Sequence, residues 1–168
     1  NLTDGFKGGL EIEDAIGVAK ALEKAGANAL VMSGGFTSKN ALFLLRGGRP
    51  LKQMIEVEES RTQKIALRVF GSVVVRQFPF EEMFFLEQAK RIREAVTMPL
   101  GLLGGIVSLD NVNSAMKAGF ELVVVGRPLI HDPQFVNRLA LGEVTHSGCN
   151  QCNQCIAEMD RGGVRCVL

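Results

Sequence analysis

Apolar positions with a helical period are the first pattern in the chain, in residues 12–25. The apolar residues are spaced i, i+3, i+4 and i+7, as on one face of an amphipathic helix: Ile12, Ala15, Ile16, Ala19 and Leu22. Acidic residues near the start suit the helix dipole, and Gly26 provides a C-terminal stop. We therefore predict an amphipathic helix over this range.

Three short, uninterrupted apolar runs follow, at residues 29–32, 100–103 and 122–125. Such runs are typical of strands that are buried on both faces of a parallel sheet. Glycines come soon after each run: Gly34 and Gly35, Gly104 and Gly105, and Gly126. Glycine permits close backbone approach, and parallel α/β folds bind ligands at the carboxyl ends of their strands. The three turns therefore indicate one functional edge of the sheet.

Helical patterns separate these runs. A helix is predicted over residues 80–96 and another over 109–118. A short helix is predicted to begin near Asp132 and Pro133, because Asp favours the N-cap and Pro the first turn. Residues 36–79 show no continuous period and are predicted to be largely irregular. The alternation of helices and strands predicts an α/β fold with a parallel sheet.

Composition and charge narrow the class of partner. The chain has 168 residues, of which 46% are hydrophobic and 22% charged, as in one globular domain. Its formal net charge of +1 gives no basic excess for nucleic acid or an anionic membrane. No apolar run approaches the roughly 18 residues that a membrane span needs. We therefore expect a small-molecule partner, and neither nucleic acid nor a membrane.

Two of the glycine turns lie on consecutive predicted strands, in Leu103-Gly104-Gly105-Ile106 and Val125-Gly126-Arg127-Pro128. Backbone N–H groups in such turns can cradle a phosphate, and an arginine can add a bidentate cation. The alternative is that the glycines only make tight turns and that Arg127 is a surface cation. The pairing of the two motifs favours a phosphate site formed by Gly104, Gly105, Gly126 and Arg127.

All four cysteines lie in the last 20 residues: Cys149, Cys152, Cys155 and Cys166. A disulfide scaffold spreads its cysteines through the fold, whereas two-residue gaps favour metal or cluster ligation in a reducing cytoplasm. Four thiolates suit zinc or an iron–sulfur cluster. Free thiols in a mobile tail are the alternative. The spacing favours ligation and a cytoplasmic location.

Few other residues carry obvious chemistry. His131 and His146 are the only histidines. We expect His131 to be a surface or capping residue and His146 to lie in a loop. Ser33 lies at a strand end, where it can touch a ligand, but no base adjoins it in sequence to make it a nucleophile.

Several segments together resemble the old yellow enzyme family of NADH:flavin oxidoreductases, nearest the branch with 2,4-dienoyl-CoA reductase and trimethylamine dehydrogenase. The resemblance covers essentially the whole chain in the same order. It rests on Asn1-Leu-Thr-Asp-Gly-Phe, Ser33-Gly34-Gly35, the two glycine turns, the Asp132-Pro133 step and the cysteines. It implies an α/β fold that is the C-terminal half of a (β/α)8 TIM barrel, with strands six to eight and a Cys-rich tail.

The resemblance also implies roles for particular segments. Residues 1–146 would be a partial FMN-binding TIM barrel, and residues 147–168 a Cys-rich C-terminal tail. The four residues of the predicted phosphate site would hold the FMN phosphate, and residues 33–35 would lie near flavin and substrate. The cysteines would hold a 4Fe–4S cluster rather than zinc. The dienoyl-CoA reductase branch has a His just after strand six, whereas this chain has none there.

The implied activity is hydride transfer from NAD(P)H through FMN to an activated alkene, such as an enone or an enoyl thioester. The chain would supply the FMN phosphate site, require the N-terminal half of the barrel and be inactive alone. Unpaired strand edges would favour homo-oligomers. Two alternatives remain. One is a stand-alone α/β module that binds a phosphorylated ligand or a metal without redox chemistry, and the other is a barrel with a different phosphorylated ligand.

Overall fold

The computed structural model describes residues 1–168 as helices around one small parallel sheet. Its strands are β1 (Leu30–Val31), β2 (Leu100–Leu103) and β3 (Leu122–Val124). Its α-helices are α1 (Ile12–Lys24), α2 (Thr37–Asn40), α3 (Leu51–Val57), α4 (Arg61–Val74), α5 (Leu86–Arg93), α6 (Leu109–Lys117), α7 (Arg127–His131), α8 (Phe135–Ala140) and α9 (Gln154–Glu158). Short 3-10 helices cover Ala41–Phe43 and Met159–Arg161. None of the helices combines the length and the apolar character needed to cross a bilayer.

The sheet confirms the predicted parallel α/β arrangement. Its strand order is β1-β2-β3, so that β2 is the central strand. In the parallel ladders Leu30 pairs with Leu100, and Gly101 pairs with both Val31 and Leu122. The side chain of Leu100 is fully buried. The carboxyl ends of all three strands therefore point to the same edge, as the glycine turns predict.

The outer strands are shorter and more exposed than predicted. Val31 in β1 is 56% exposed and Leu122 in β3 is 50% exposed. Neither strand is therefore buried on both faces, and that prediction is wrong for both. Each outer strand has a neighbour on one side only, so that part of its apolar surface lies open. The burial predicted for all three runs applies to β2.

Two of the predicted helices are confirmed almost to the residue, α1 and α6. A capping box begins α6: the Ser108 Oγ accepts a bond from the Asn111 N–H at 3.2 Å, and the Asn111 Oδ1 accepts one from the Ser108 N–H at 3.2 Å. The predicted stop Gly26 follows α1 with a φ of +92°, which is easily adopted by glycine. Local signals were therefore sufficient for these helices.

Residues 36–79 were predicted to be largely irregular, and that prediction is wrong. The stretch is mainly helical. Helices α3 and α4 within it pack against each other. The Ser60 side chain caps α4 by accepting a bond from the Gln63 N–H. Several apolar side chains of α4 face outward, among them Phe70, which is 61% exposed. This outward placement blurs the contrast between an apolar and a polar face on which the periodicity argument depends.

Two further predicted helices differ in where they begin. The helix predicted over residues 80–96 is α5, which begins at Leu86 because the preceding residues form turns, with Met83 at a φ of 54°. The helix predicted near Asp132 is α8, which begins at Phe135. Helix α7 was not predicted; it begins at Arg127, inside the second glycine motif.

The hydrophobic core connects the sheet to the glycine turns. It packs α1, α5 and α6 against the strands, and its buried members include Leu2, Ala15, Met32, Phe85, Ile92, Leu100, Leu102 and Phe120. The Phe85 ring has no exposed surface. A Cβ added to Gly34 would lie 2.4 Å from the Phe85 Cζ, and one added to Gly104 would lie 2.8 Å from its Cδ2. The same ring therefore supports the turns after β1 and β2.

Candidate functional site

All four residues of the predicted phosphate site line one cavity of about 220 Å³. The turn after β2 contributes Gly104 and Gly105, and the turn after β3 contributes Gly126 and Arg127. Leu44 and other apolar residues complete the wall. We call this cavity the glycine pocket. The structure thus brings together the two motifs, which are distant in sequence, at the expected edge of the sheet.

The glycines serve different purposes in this pocket. Gly105 has a φ of +75°, and a Cβ there would lie 2.7 Å from the Glu81 carbonyl oxygen and 2.7 Å from the Met83 nitrogen. Gly104 is similarly crowded, by Phe84 and Phe85, with a φ of +110°. No atom lies within 4 Å of a Cβ placed on Gly126. Packing thus accounts for glycine at 104 and 105, whereas open space surrounds the third.

Backbone donors are available in the glycine pocket. The N–H groups of Gly104, Gly105 and Gly126 donate no hydrogen bond within the chain. Backbone N–H groups are strong donors that require partners, and unpaired donors in a turn are the usual ligands of a bound anion. No Asp or Glu lines the pocket. The pocket is therefore suited to an anion by both its donors and its charge.

Arg127 stands between the glycine pocket and the cysteines. Its Nη1 donates to the Arg46 carbonyl oxygen at 2.8 Å and to the Asn153 Oδ1 at 2.5 Å. Burial lowers the pKa of Arg127, and the nearby thiols of Cys149, Cys155 and Cys152 oppose that shift. Arginine remains charged in proteins. Position 127 therefore holds a fixed cation in a half-buried setting, which differs from the alternative in which Arg127 is only a surface cation.

The four cysteines surround a second, narrower cavity, which is also lined by Arg127 and His131. All four are free thiols. Burial raises the pKa of the Cys155 thiol, whereas the Arg127 charge acts in the opposite direction. No three His, Cys, Asp or Glu side chains are grouped so as to hold one metal ion. The thiols thus share a cavity without converging on the point that a single ion would occupy.

The histidines have different surroundings. His131 ends α7, and its Nδ1 lies 3.4 Å from the Cys166 Sγ, so that it contacts the thiol cavity rather than only the surface. His146 bonds to other groups than the cysteine thiols. Its Nε2 lies 3.3 Å from the Glu82 Oε1. It also forms an isolated bridge with Ser108. His146 therefore has a structural setting of its own.

The turn after β1 lines a different, larger cavity of about 470 Å³. Gly34 and Gly35 contribute to its wall together with residues of α3, α4 and α9. Leu44 and Leu45 border both this cavity and the glycine pocket. Ser33 lines neither cavity, and its carbonyl oxygen accepts a bond from the Leu2 N–H. The turns after β2 and β3 thus line the glycine pocket, and the turn after β1 lines the larger cavity beside it.

Sequence reasoning missed two polar side chains beside the site, the buried Asn153 and the partly buried Arg46. Asn153 lies between two cysteines and contacts Arg127, Leu45 and Gly48. The Arg46 guanidinium lies 4.5 Å from the Phe84 ring centroid, and its buried Nε has no hydrogen-bond partner. Neither residue stands in a periodic pattern, and their partners are distant in sequence. No local signal could have identified them.

The cysteine segment is attached to the site by close backbone contacts. The Gly48 N–H donates to the Gln151 carbonyl oxygen at 2.8 Å. A Cβ on Gly47 would lie 2.2 Å from that same oxygen, and one on Gly48 would lie 2.8 Å from the Cys152 carbonyl oxygen. Glycine is therefore required at both positions if the cysteine segment is to approach so closely.

Two reductases are similar to this chain over all or nearly all of its 168 residues. The chain is 35% identical to a 4,4'-dithiodibutanoate disulfide reductase of Rhodococcus erythropolis, over 100% of this chain and 41% of that protein. It is 26% identical to a bilirubin reductase of Mediterraneibacter gnavus, over 96% of this chain and 21% of that protein. The chain thus spans about two-fifths and one-fifth of the lengths of these relatives.

A second group of similarities is to proteins of histidine biosynthesis. The sequence model of the histidine biosynthesis protein family matches residues 81–145. The chain is also 29% identical to the HisF subunit of imidazole glycerol phosphate synthase from Pyrobaculum aerophilum, over 55% of this chain and 35% of that protein. The chain is therefore similar along its length to reductases, and it has an α/β fold consistent with part of a TIM barrel.

Proposed function

We propose that this chain forms the phosphate-binding end of an FMN site in an NAD(P)H-dependent reductase of the old yellow enzyme type. The observation that carries the proposal is the glycine pocket, in which free backbone donors and a fixed arginine lie at the carboxyl end of a parallel sheet. The similarity to two reductases supports an oxidoreductase. An activated alkene is the proposed substrate class.

The pocket residues fit the phosphate of FMN in three respects. Unpaired N–H groups of Gly104 and Gly105 line it, and open space at Gly126 allows a ligand to approach the backbone. Arg127 has one nitrogen held by protein acceptors, which leaves its other donors for a phosphate. Together these residues would bind the anion and fix the end of the cofactor.

FMN, when bound, would supply the hydride-transfer chemistry. The residues of this chain have a supporting role in that reaction. The glycine pocket holds the phosphate, and the buried Phe85 ring keeps two of the turns in place. Their contribution is the position of the cofactor relative to the larger cavity that adjoins the pocket across Leu44 and Leu45.

We further propose that Cys149, Cys152, Cys155 and Cys166 hold a 4Fe–4S cluster. Four free thiols around one cavity are the donor set of such clusters. The resemblance to the cluster-bearing branch of the old yellow enzyme family is what favours a cluster over zinc. Iron and acid-labile sulfide analysis of anaerobically purified protein tests this directly. One zinc per chain without sulfide would contradict it.

The FMN proposal is tested by comparing two ligands that differ only in the phosphate, FMN and riboflavin. We expect the purified protein to bind FMN at least roughly tenfold more tightly, because charge-assisted hydrogen bonds to the phosphate are lost with riboflavin. Arg127→Ala should remove most of that difference. Quenching of flavin fluorescence during titration measures both affinities.

Arg138→Ala is a matched control for this experiment. Arg138 lies on α8 and pairs with Asp132 and Glu143, outside the glycine pocket. This variant should keep the preference for FMN. Equal affinity of the wild-type protein for FMN and riboflavin would refute the proposed phosphate site.

A second candidate function has support from one specific observation. The histidine biosynthesis match covers residues 81–145, which include both turns of the glycine pocket. A barrel that holds a different phosphorylated ligand in the same pocket accounts for that match. Competition by inorganic phosphate without any flavin binding would favour this alternative over the FMN proposal.

A further inference from the structure

Asn153 is a buried polar residue that joins three parts of the molecule. Only 1% of its surface is exposed. Its Nδ2 donates to the Leu45 carbonyl oxygen at 2.5 Å and to the Gly48 carbonyl oxygen at 2.9 Å. Its Oδ1 accepts from the Arg127 Nη1 at 2.5 Å. The residue thus connects the cysteine segment, the turn at residues 45–48 and the arginine of the glycine pocket.

The chemistry of this position requires asparagine. Two carbonyl acceptors on one side require an NH₂ group, and the guanidinium on the other side requires an oxygen, so both hydrogens and the oxygen of the amide are used. Asp would turn an oxygen toward the two carbonyls, and Gln would be one methylene too long. The backbone at Asn153 has a φ of +63°, a left-handed conformation in which asparagine is favoured among residues with a Cβ.

We propose that Asn153 is a positioning residue that fixes the Arg127 guanidinium and the cysteine segment as one unit. Through this unit, ligand binding in the glycine pocket and the arrangement of the thiols depend on each other. The proposal rests on the proposed function in taking the pocket ligand to be FMN. The inference goes beyond the proposed function, because it assigns a coupling between the glycine pocket and the thiols and names Asn153 as the residue that transmits this coupling.

The physical basis is that one side chain lines both sites. Arg127 borders the glycine pocket and the thiol cavity. The Asn153 amide determines which way one of its nitrogens points and, through Leu45 and Gly48, where the cysteine segment lies. If an occupied pocket makes this arrangement more rigid, the thiols become less accessible, and by linkage the effect is reciprocal.

The experiment uses protein that has been freed of iron and sulfide, so that the cysteines are available to the reagent. It measures the rate at which iodoacetamide alkylates them, with and without FMN, and the affinity for FMN. Three variants are compared with the wild type: Asn153→Ala, Asn153→Asp and Gln154→Ala. Gln154 is the matched control, because it is the neighbouring residue in the same segment and its side chain makes no hydrogen bond. Circular dichroism confirms that each variant is folded.

For Asn153→Ala we expect alkylation to become roughly tenfold faster, because the two bonds to the Leu45 and Gly48 carbonyl oxygens are lost. FMN affinity should fall roughly tenfold, because the bond that holds the charged Arg127 is lost as well. Asn153→Asp should separate the two effects. It keeps the acceptor for Arg127, so FMN affinity should stay near the wild-type value, while the lost donors to the two carbonyls should still speed alkylation. Gln154→Ala should change neither. A purely structural role would not produce this separation.

FMN should slow alkylation in the wild type and in Gln154→Ala, but not in Asn153→Ala. The inference is overturned if Asn153→Ala is alkylated at the wild-type rate, or if it lowers FMN affinity no more than the control does. If the wild-type protein binds no FMN, the proposed function and the coupling both fail. The effect of Asn153→Ala on alkylation then still decides whether Asn153 positions the cysteine segment.

Discussion

Replacing Gly105 by alanine tests whether this glycine is required by the fold or by a ligand. The residue has a φ of +75°, a conformation that costs an alanine roughly 1–2 kcal/mol. The new Cβ would lie 2.7 Å from two backbone atoms, the Glu81 oxygen and the Met83 nitrogen. Moving them apart would weaken the 3.1 Å bond from the Met83 N–H to the Gly105 oxygen, worth about 1 kcal/mol.

These contributions sum to a destabilisation of roughly 2–3 kcal/mol. With a urea m-value of about 1–3 kcal/mol/M, the unfolding midpoint should fall by roughly 0.7–3 M. Far-UV circular dichroism is the appropriate probe, because the chain has no Trp and no Tyr for intrinsic fluorescence. The measurement is made without ligand, so that only folding is tested.

Gly126→Ala is the matched comparison. No atom lies within 4 Å of the added Cβ, and the backbone there does not have a positive φ. Its free energy of unfolding should stay within about 0.5 kcal/mol of the wild-type value, as for surface changes in general. Its FMN affinity should nevertheless fall, because the methyl group occupies the space left for the phosphate. An unchanged midpoint for Gly105→Ala would refute the packing explanation for this turn.

Three further predictions concern stability. Phe85→Ala should cost roughly 3–5 kcal/mol in a urea titration, because the ring is fully buried under two glycine turns; a loss below 1 kcal/mol would contradict its central role. Gly17→Ala should stabilise α1 by roughly 0.5–1 kcal/mol, since a Cβ there meets no atom, and a lower melting temperature would count against this. Hydrogen bonds from the Thr97 and Met98 backbones lower the pKa of Glu23 from its ordinary value of 4.5. The contribution of Glu23 to stability is therefore present above pH 4.5 and is lost as the pH falls further. Glu23→Gln should make unfolding less sensitive to acid in that range, and an unaltered acid profile would show that these bonds are not important.

The sequence was a good guide wherever structure is determined by neighbours along the chain. The helices α1 and α6 carry both a helical stripe and their own stop signals, and β2 is an apolar run buried as expected. The four residues predicted to form a phosphate site do line one cavity. Their meeting follows from the parallel sheet, which brings the carboxyl ends of successive strands together whatever lies between them.

Features determined by distant contacts were not predictable in the same way. Phe70 and other apolar residues of α4 face outward, which conceals that helix from a periodicity argument. The turn before α5 depends on packing against Gly105, more than 15 residues later in the chain. Arg127 was recognised as a cation, but its restraint by Asn153 and the Arg46 carbonyl could not be read from either motif.

The separation of Asn153 from its partners has a consequence for the order in which the protein assembles. The bonds from its amide to Gly48 and Leu45 span 105 and 108 residues. Closing so long a loop costs entropy that local helices do not pay. During synthesis, Arg127 has no acceptor at Asn153 until position 153 has left the ribosome. A cofactor that depends on this arrangement would therefore be acquired after translation of that segment.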